Sequence, residues 1–200
     1  MIGLIDYGAG NLLSVKKALE FINVNCKVVR SPDDMDNIDR IILPGVGAFE
    51  SAVNNLHNRG LFHLIREWIH NGNSYLGICL GMQLLMEYSE ESTLNIKGFH
   101  LIDGNVIKFQ CNKVPQIGWN QVKYYKESTL FKDIKDDSFF YFVHSYYINP
   151  LDNAYTIGVT DYDVPFASVI QVGNVYGVQF HPEKSSNNGL RLIKNWVDLC

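Results

Sequence analysis

At 200 residues, 46% of them hydrophobic and 19% charged, the chain has the size and composition of one globular domain with a real core. A formal net charge of −4 and the lack of any basic cluster remove the electrostatic case for a nucleic-acid partner. No apolar run approaches a membrane span, and residues 1–6 are too short and too soon charged for a signal peptide. The four cysteines, Cys26, Cys79, Cys111 and Cys200, are scattered without a Cys-x-x-Cys pair. That spacing suggests neither a zinc site nor a disulfide framework, and a reducing cytoplasm is the expected setting.

Residues 2–6 read as a buried strand, followed by a Gly8-Ala9-Gly10-Asn11 turn and a helix with apolar positions Leu12, Val15, Leu19 and Ile22. Gly8-x-Gly10 opens like a dinucleotide fingerprint, but Leu13 stands where the third glycine belongs, so a tight strand-to-helix turn is expected and no cofactor. Residues 26–29 and 40–43 are the next strands. The second of these runs into Pro44-Gly45-Val46-Gly47-Ala48-Phe49, where glycines could turn backbone N–H groups toward a cleft, as an oxyanion site requires. Plain turns use the same residues. Residues 51–56 and 61–71 carry helical periodicity, with breaks at Gly60 and Gly72.

The organising stretch is Gly77-Ile78-Cys79-Leu80-Gly81, after a strand-like run and before a helix-like one. Two small residues flanking a potential nucleophile describe a nucleophile elbow, in which a side chain at Gly77 or Gly81 would strike neighbouring backbone. Cys79 would then project beside the start of the following helix, whose positive partial charge favours thiolate. A small buried core cysteine is the competing reading. The helix is expected over residues 80–88, placing Gln83 one turn from Cys79, with Glu87, Glu90 and Glu91 as a solvent-facing acidic end. From Gly98 on, strand-like segments dominate: 105–109, 121–125, 139–143, 155–159, 167–171 and 175–180. No linker intervenes, so they are expected to extend or cover the sheet as added antiparallel strands. Residues 187–199 close as an amphipathic helix. The fold expected is α/β, a three-layer, flavodoxin-like arrangement with a mainly parallel central sheet and helices on both faces.

His181-Pro182-Glu183 follows the last strand. In extended backbone, residues i and i+2 point to one side, so imidazole and carboxylate would project together, the arrangement a base and its orienting acid need. With an elbow cysteine in the same chain, this reads as a Cys79-His181-Glu183 triad. The order nucleophile, histidine, acid differs from the Ser…Asp…His order of α/β-hydrolases.

These residues carry a family resemblance. Gly77-Ile78-Cys79-Leu80-Gly81-Met82-Gln83 together with Gln179-Phe180-His181-Pro182-Glu183-Lys184-Ser185-Ser186 resembles class I (triad) glutamine amidotransferases. Residues 5–12, 43–49, 117–120 and 141–146 narrow the likeness to the glutaminase subunits of imidazole glycerol phosphate synthases, nearly end to end. The resemblance implies that Cys79 attacks the glutamine side-chain amide, His181 shuttles protons and Glu183 orients His181. It implies oxyanion donors at Val46, Gly47 and Leu80, and substrate contacts at Gly45, Gln83, Glu91, His144, Ser145 and Tyr146. Asn11, Trp119 and Lys184 match the face toward the partner, a (β/α)₈-barrel cyclase subunit that forms a heterodimer and receives ammonia through a channel. No metal is implied. The family pattern Pro-His-Met-Gly-Trp-Asn is here Pro115-Gln116-Ile117-Gly118-Trp119-Asn120, a departure that bears on partner identity and not on the triad.

Three other outcomes stay open at this level. A paralogous amidotransferase could feed another synthase, for instance one that aminates a surface-polysaccharide sugar. A stand-alone γ-glutamyl hydrolase with the same triad would be fully active without a partner. A non-catalytic binding subunit would form no thioester.

Overall fold

The structure is a computed structural model that describes residues 1–8, 11–93, 96–111 and 113–200. Ala9 and Gly10 of the expected turn lie outside the described residues. Strand β1 (Ile2–Ile5) leads through helix α1 (Leu12–Phe21) to β2 (Cys26–Val29). Strand β3 (Arg40–Gly45) leads through α2 (Phe49–Asn58) and α3 (Leu61–His70) to β4 (Ser74–Cys79) and the single turn α4 (Leu80–Gln83). Then come β5 (Tyr88–Ser89), β6 (Gly104–Lys108), β7 (Gln116–Tyr124), β8 (Ser138–His144), β9 (Tyr146–Pro150), β10 (Thr156–Tyr162), β11 (Val164–Val172), β12 (Val175–Val178) and helix α5 (Ser186–Leu199).

The main sheet has nine strands in the order β2-β1-β3-β4-β12-β11-β10-β7-β8. The first five are parallel to their neighbours, and every pair from β12 outward is antiparallel. This is the mixed α/β architecture expected. A separate three-stranded sheet, β5-β6-β9, lies beside it.

Strand alternation sorts side chains between two cores. Ile5, Ile41, Leu43 and Tyr75 face a core shared with Phe49, Val53 and Leu56 of α2 and Leu61 and Ile65 of α3. Leu4, Ile42, Leu76 and Ile78 face the other, shared with Val15 and Leu19 of α1 and Leu192, Ile193 and Trp196 of α5. Burial on both faces is why these strands read as continuous apolar runs. It also brings the carboxyl ends of β3, β4 and β12 to one edge, where ligands bind in open α/β sheets.

Two expectations give way. The helix expected over 80–88 ends at Gln83, because the carbonyls of Leu84, Leu85, Met86 and Glu87 accept N–H groups from residues 98–102. Tertiary partners replace the helical ones, and β5 forms in place of the last turn. Strand β7 starts at Gln116, five residues before the expected start at 121, because pairing with β8 carries it through Gly118. Neither β5 nor β9 stands out in the sequence. Among the described residues, no helix is long and apolar enough to cross a membrane.

Candidate active site

Cys79 ends β4 at φ 53° and ψ −104°, a backbone conformation that costs a non-glycine residue about 1–3 kcal/mol and persists only where the surroundings impose it. Those surroundings are identifiable. A Cβ on Gly77 would lie 2.5 Å from the Gly81 carbonyl oxygen, and one on Gly81 would lie 2.0 Å from the Leu43 carbonyl oxygen. Only glycine lets β3, β4 and α4 approach so closely. The Tyr75 hydroxyl donates to the Gly81 carbonyl (2.6 Å) and pins the turn from beneath.

His181 follows β12 and is fully buried. Its Nδ1 lies 2.8 Å from Glu183 Oε1, and its Nε2 has no hydrogen-bond partner among the described residues. Glu183 arrives by a different backbone route from the extended one expected. Residues Pro182–Lys184 form a 3₁₀ turn with Pro182 at its first position, where a fixed φ and a missing N–H cost nothing. Burial works against the imidazolium, but the adjacent Cys79 sulfur and Glu183 carboxylate outweigh it and raise the pKa of His181 to about 10. The site thus favours a proton on His181 beside Cys79 and Glu183.

Two clamps hold this pair. Asn11 Nδ2 donates to Glu183 Oε1 (3.0 Å), so the Asn11 side chain, 5% exposed, faces inward behind the pair. On the other side, Ser185 Oγ accepts from Tyr141 N–H (2.9 Å) and donates to the His181 carbonyl (2.7 Å), while His181 N–H donates to the Tyr141 carbonyl (2.9 Å). This ring of bonds ties β8 to the His181 backbone.

A cleft of about 390 Å³ opens over Cys79, lined by Val46, Gly47, Leu80, Gln83, Glu91, His144, Ser145 and Tyr146 among others. Every oxyanion and substrate position from the resemblance except Gly45 is therefore at one cleft. Gly45 lies beneath it, in register with Cys79 across β3 and β4. Gly47 sits at φ +101° with no atom of the described residues within 4 Å of a would-be Cβ, and Val46 is 37% exposed, so this segment is loosely packed. Glu91 Oε2 accepts the Phe49 N–H at the start of α2 (2.7 Å), so this carboxylate is not the purely solvent-facing group that its acidic stretch suggests. Among the described residues, no three His, Cys, Asp or Glu side chains gather as a metal site.

The cleft wall contains a buried polar network. His144 Nδ1 and Gln83 Nε2 both donate to the Tyr146 carbonyl (2.8 and 2.9 Å), using its two lone pairs. Burial lowers the pKa of His144 to about 4, so the ring is neutral and its Nε2 accepts. Gln116 Oε1 lies 2.9 Å from it, and exchanging that amide's oxygen and nitrogen gives the neutral Nε2 a donor and pairs the otherwise orphaned Gln116 N–H. Gln83 Nε2 also reaches Gln179 Oε1 (3.1 Å), and Gln179 Nε2 lies 3.5 Å from Cys79 Sγ.

Trp119 and Lys184 lie outside the cleft. Trp119 is 53% exposed, stacks edge-on to Tyr141 and shares an outward face of β7 and β8 with exposed Ile117 and Phe139. The sequence motif contains Gln179 and Ser185 but gives neither a role. The signal for Gln179 was present, since the i, i+2 alternation before His181 puts the two on one side.

A mixed sheet whose parallel half ends in a strained cysteine, facing a buried His–Glu pair, defines an α/β protein with a nucleophile-elbow thiol site. The Glutamine amidotransferase class-I family model matches residues 3–199, and the chain belongs to that family. The imidazole glycerol phosphate synthase subunit HisH of Methanocaldococcus jannaschii is 48% identical over 200 residues, with both chains covered in full. The HisH subunits of Moorella thermoacetica and Chlorobaculum tepidum are 47% and 44% identical, covering 99% of this chain and 94% and 100% of theirs. Of solved structures, a glutamine amidotransferase crystal structure aligns over 99% of this chain and 97% of its own, with a TM-score of 0.78 at 16% identity, a likeness of fold.

Proposed function

We propose that the chain is the glutaminase subunit of an imidazole glycerol phosphate synthase. It hydrolyses L-glutamine to L-glutamate and ammonia and passes the ammonia to a (β/α)₈-barrel cyclase subunit within a cytoplasmic heterodimer. Residues 1–200 act as one catalytic domain. The observation that carries the chemistry is the strained Cys79 set against a buried His181 whose proton is favoured by sulfur and by Glu183. The near-full-length identity to HisH subunits carries the choice of synthase.

In this reading the Cys79 proton passes to His181 Nε2, and the thiolate attacks the side-chain amide carbon of glutamine. The resulting oxyanion is met by the N–H of Leu80, which has no partner inside α4, and by one from the Val46–Gly47 segment. His181 returns its proton to the departing nitrogen, ammonia leaves and a γ-glutamyl thioester remains. Water then gives a proton to His181 and attacks the thioester, releasing glutamate and the thiolate. Gln83, Glu91, Ser145 and Tyr146 hold the amino-acid end of the substrate, with Gly45 and His144 as floor and wall. The partner docks on the face that carries Trp119 and Lys184, near the loop that Asn11 closes.

Loose packing at Gly47 supports a partner-gated oxyanion site, and one misplaced donor is worth about 10²–10³ in rate. The test is ammonia release by the chain alone and mixed with a candidate cyclase subunit plus its ribonucleotide ligand. Activation of about tenfold or more is expected, within what one oxyanion donor is worth. Low activity in both arms would point to a different synthase, which the Gln116-Ile117 departure would then mark. High activity alone would point to a free-standing hydrolase.

A further inference from the structure

We propose that Gln179 is a catalytic residue whose carboxamide is a fixed hydrogen-bond donor to the Cys79 sulfur, stabilising the thiolate both when it attacks and when it leaves. The proposal rests on the reading of Cys79 as nucleophile. Gln179 is fully buried, between β12 and His181, and its Nε2 lies 3.5 Å from Cys79 Sγ.

The network determines which end of the amide faces the sulfur. The Tyr146 carbonyl can only accept, so Gln83 must direct Nε2 toward it. The second hydrogen of that same nitrogen then requires an acceptor, and it finds Gln179 Oε1 at 3.1 Å. With its oxygen so occupied, Gln179 has only N–H to offer Cys79. A flipped amide would set two donors against each other at Gln83 and two acceptors at a thiolate. The donor is thus aimed by the Tyr146 carbonyl through buried Gln83 before any substrate arrives.

The titratable groups around the sulfur leave this task unfilled. His181, backed by Glu183, takes the proton. Tyr7, beyond β1, is buried with a hydroxyl that has no hydrogen-bond partner among the described residues, and its pKa is pushed up by burial and by Cys79. His144 is neutral with both ring nitrogens engaged, and Glu91 across the cleft can only repel a thiolate. When the Cys79 proton moves to His181 Nε2, sulfur keeps the electron pair, and the Gln179 N–H bonds to it. A bond to an ionised acceptor is roughly twice as strong as a neutral one. The same donor aids thioester hydrolysis, where the sulfur must depart as an anion.

The test is the pH dependence of alkylation by iodoacetamide on the purified full chain, followed at the Cys79 peptide by mass spectrometry. The thiolate forms a sulfur–carbon bond and iodide leaves, so no glutamine binding enters. In Gln179→Met, close to isosteric, the acid limb should move up by about one pH unit, an approximately tenfold slower reaction on that limb with the alkaline plateau unchanged. Gln179→Glu should move it at least as far. Gln83→Met, which frees the Gln179 oxygen, should move it the same way by less, and it carries the test if Gln179→Met fails to fold. An unmoved acid limb in folded Gln179→Met protein overturns the proposal. Absence of alkylation at Cys79 in the unaltered chain overturns the nucleophile reading instead.

Discussion

The parallel and antiparallel halves of the main sheet handle burial differently, and the site is divided between them accordingly. In the parallel half, β1 and β12 are buried at every residue and β4 at all but its first. Cys79 and His181 stand at the ends of two of these strands, where close packing leaves no alternative position. In the antiparallel half, β7 alternates between buried and open residues and leaves Ile117 and Trp119 in solvent. That half contributes the cleft wall and, through the Ser185 latch, a hold on the His181 backbone. A strand covered on both faces can position a reacting atom tightly, whereas one with a free face can offer that face to another protein.

The largest effect should come from Cys79→Ala. Loss of glutamine hydrolysis by about 10⁴-fold or more is expected, as for other members of a catalytic triad acting as a unit, and full turnover would sink the triad. Circular dichroism should show the fold retained. Gly81→Ala probes the tight half directly, because its new methyl would sit 2.0 Å from the Leu43 carbonyl oxygen. A stability loss of about 3 kcal/mol in urea denaturation is expected, the upper end for an overpacked site. A loss under about 0.5 kcal/mol would mean that the elbow is not tightly constrained.

His144→Gln tests the antiparallel wall by pH. Burial holds the His144 pKa near 4 against an ordinary 6.5. The folded state therefore binds fewer protons than the unfolded one across that window. Its stabilising contribution is present above pH 6.5 and is lost as pH falls toward 4. Between pH 7 and pH 5 the unaltered chain should lose about 2 kcal/mol more than the variant, a difference that paired urea titrations would resolve. Equal losses would mean that His144 is not kept neutral. The smallest effect belongs to Trp119→Ala, on the open face. The isolated chain should change by no more than about 0.5 kcal/mol. Affinity for the proposed cyclase partner should fall by about tenfold or more in titration calorimetry if Trp119 anchors that interface.

Local chemistry was legible in the amino-acid sequence because it depends on spacing along the chain. Gly77-x-Cys79-x-Gly81 implies close backbone approach, His181 and Glu183 are two residues apart, and doubly buried strands announce themselves as apolar runs. From these came the triad candidates, the parallel core and the family resemblance. The tertiary structure decided what depends on atoms distant in sequence. It ended the helix after Gln83, because residues 98–102 offered better partners to the carbonyls of 84–87. It turned Asn11 inward onto Glu183, 172 residues away, and set Gln179 against Cys79, 100 residues away. Periodicity reports which face of an element is buried, but only the packed fold determines which polar groups meet once water is excluded, and there each buried donor must find its acceptor.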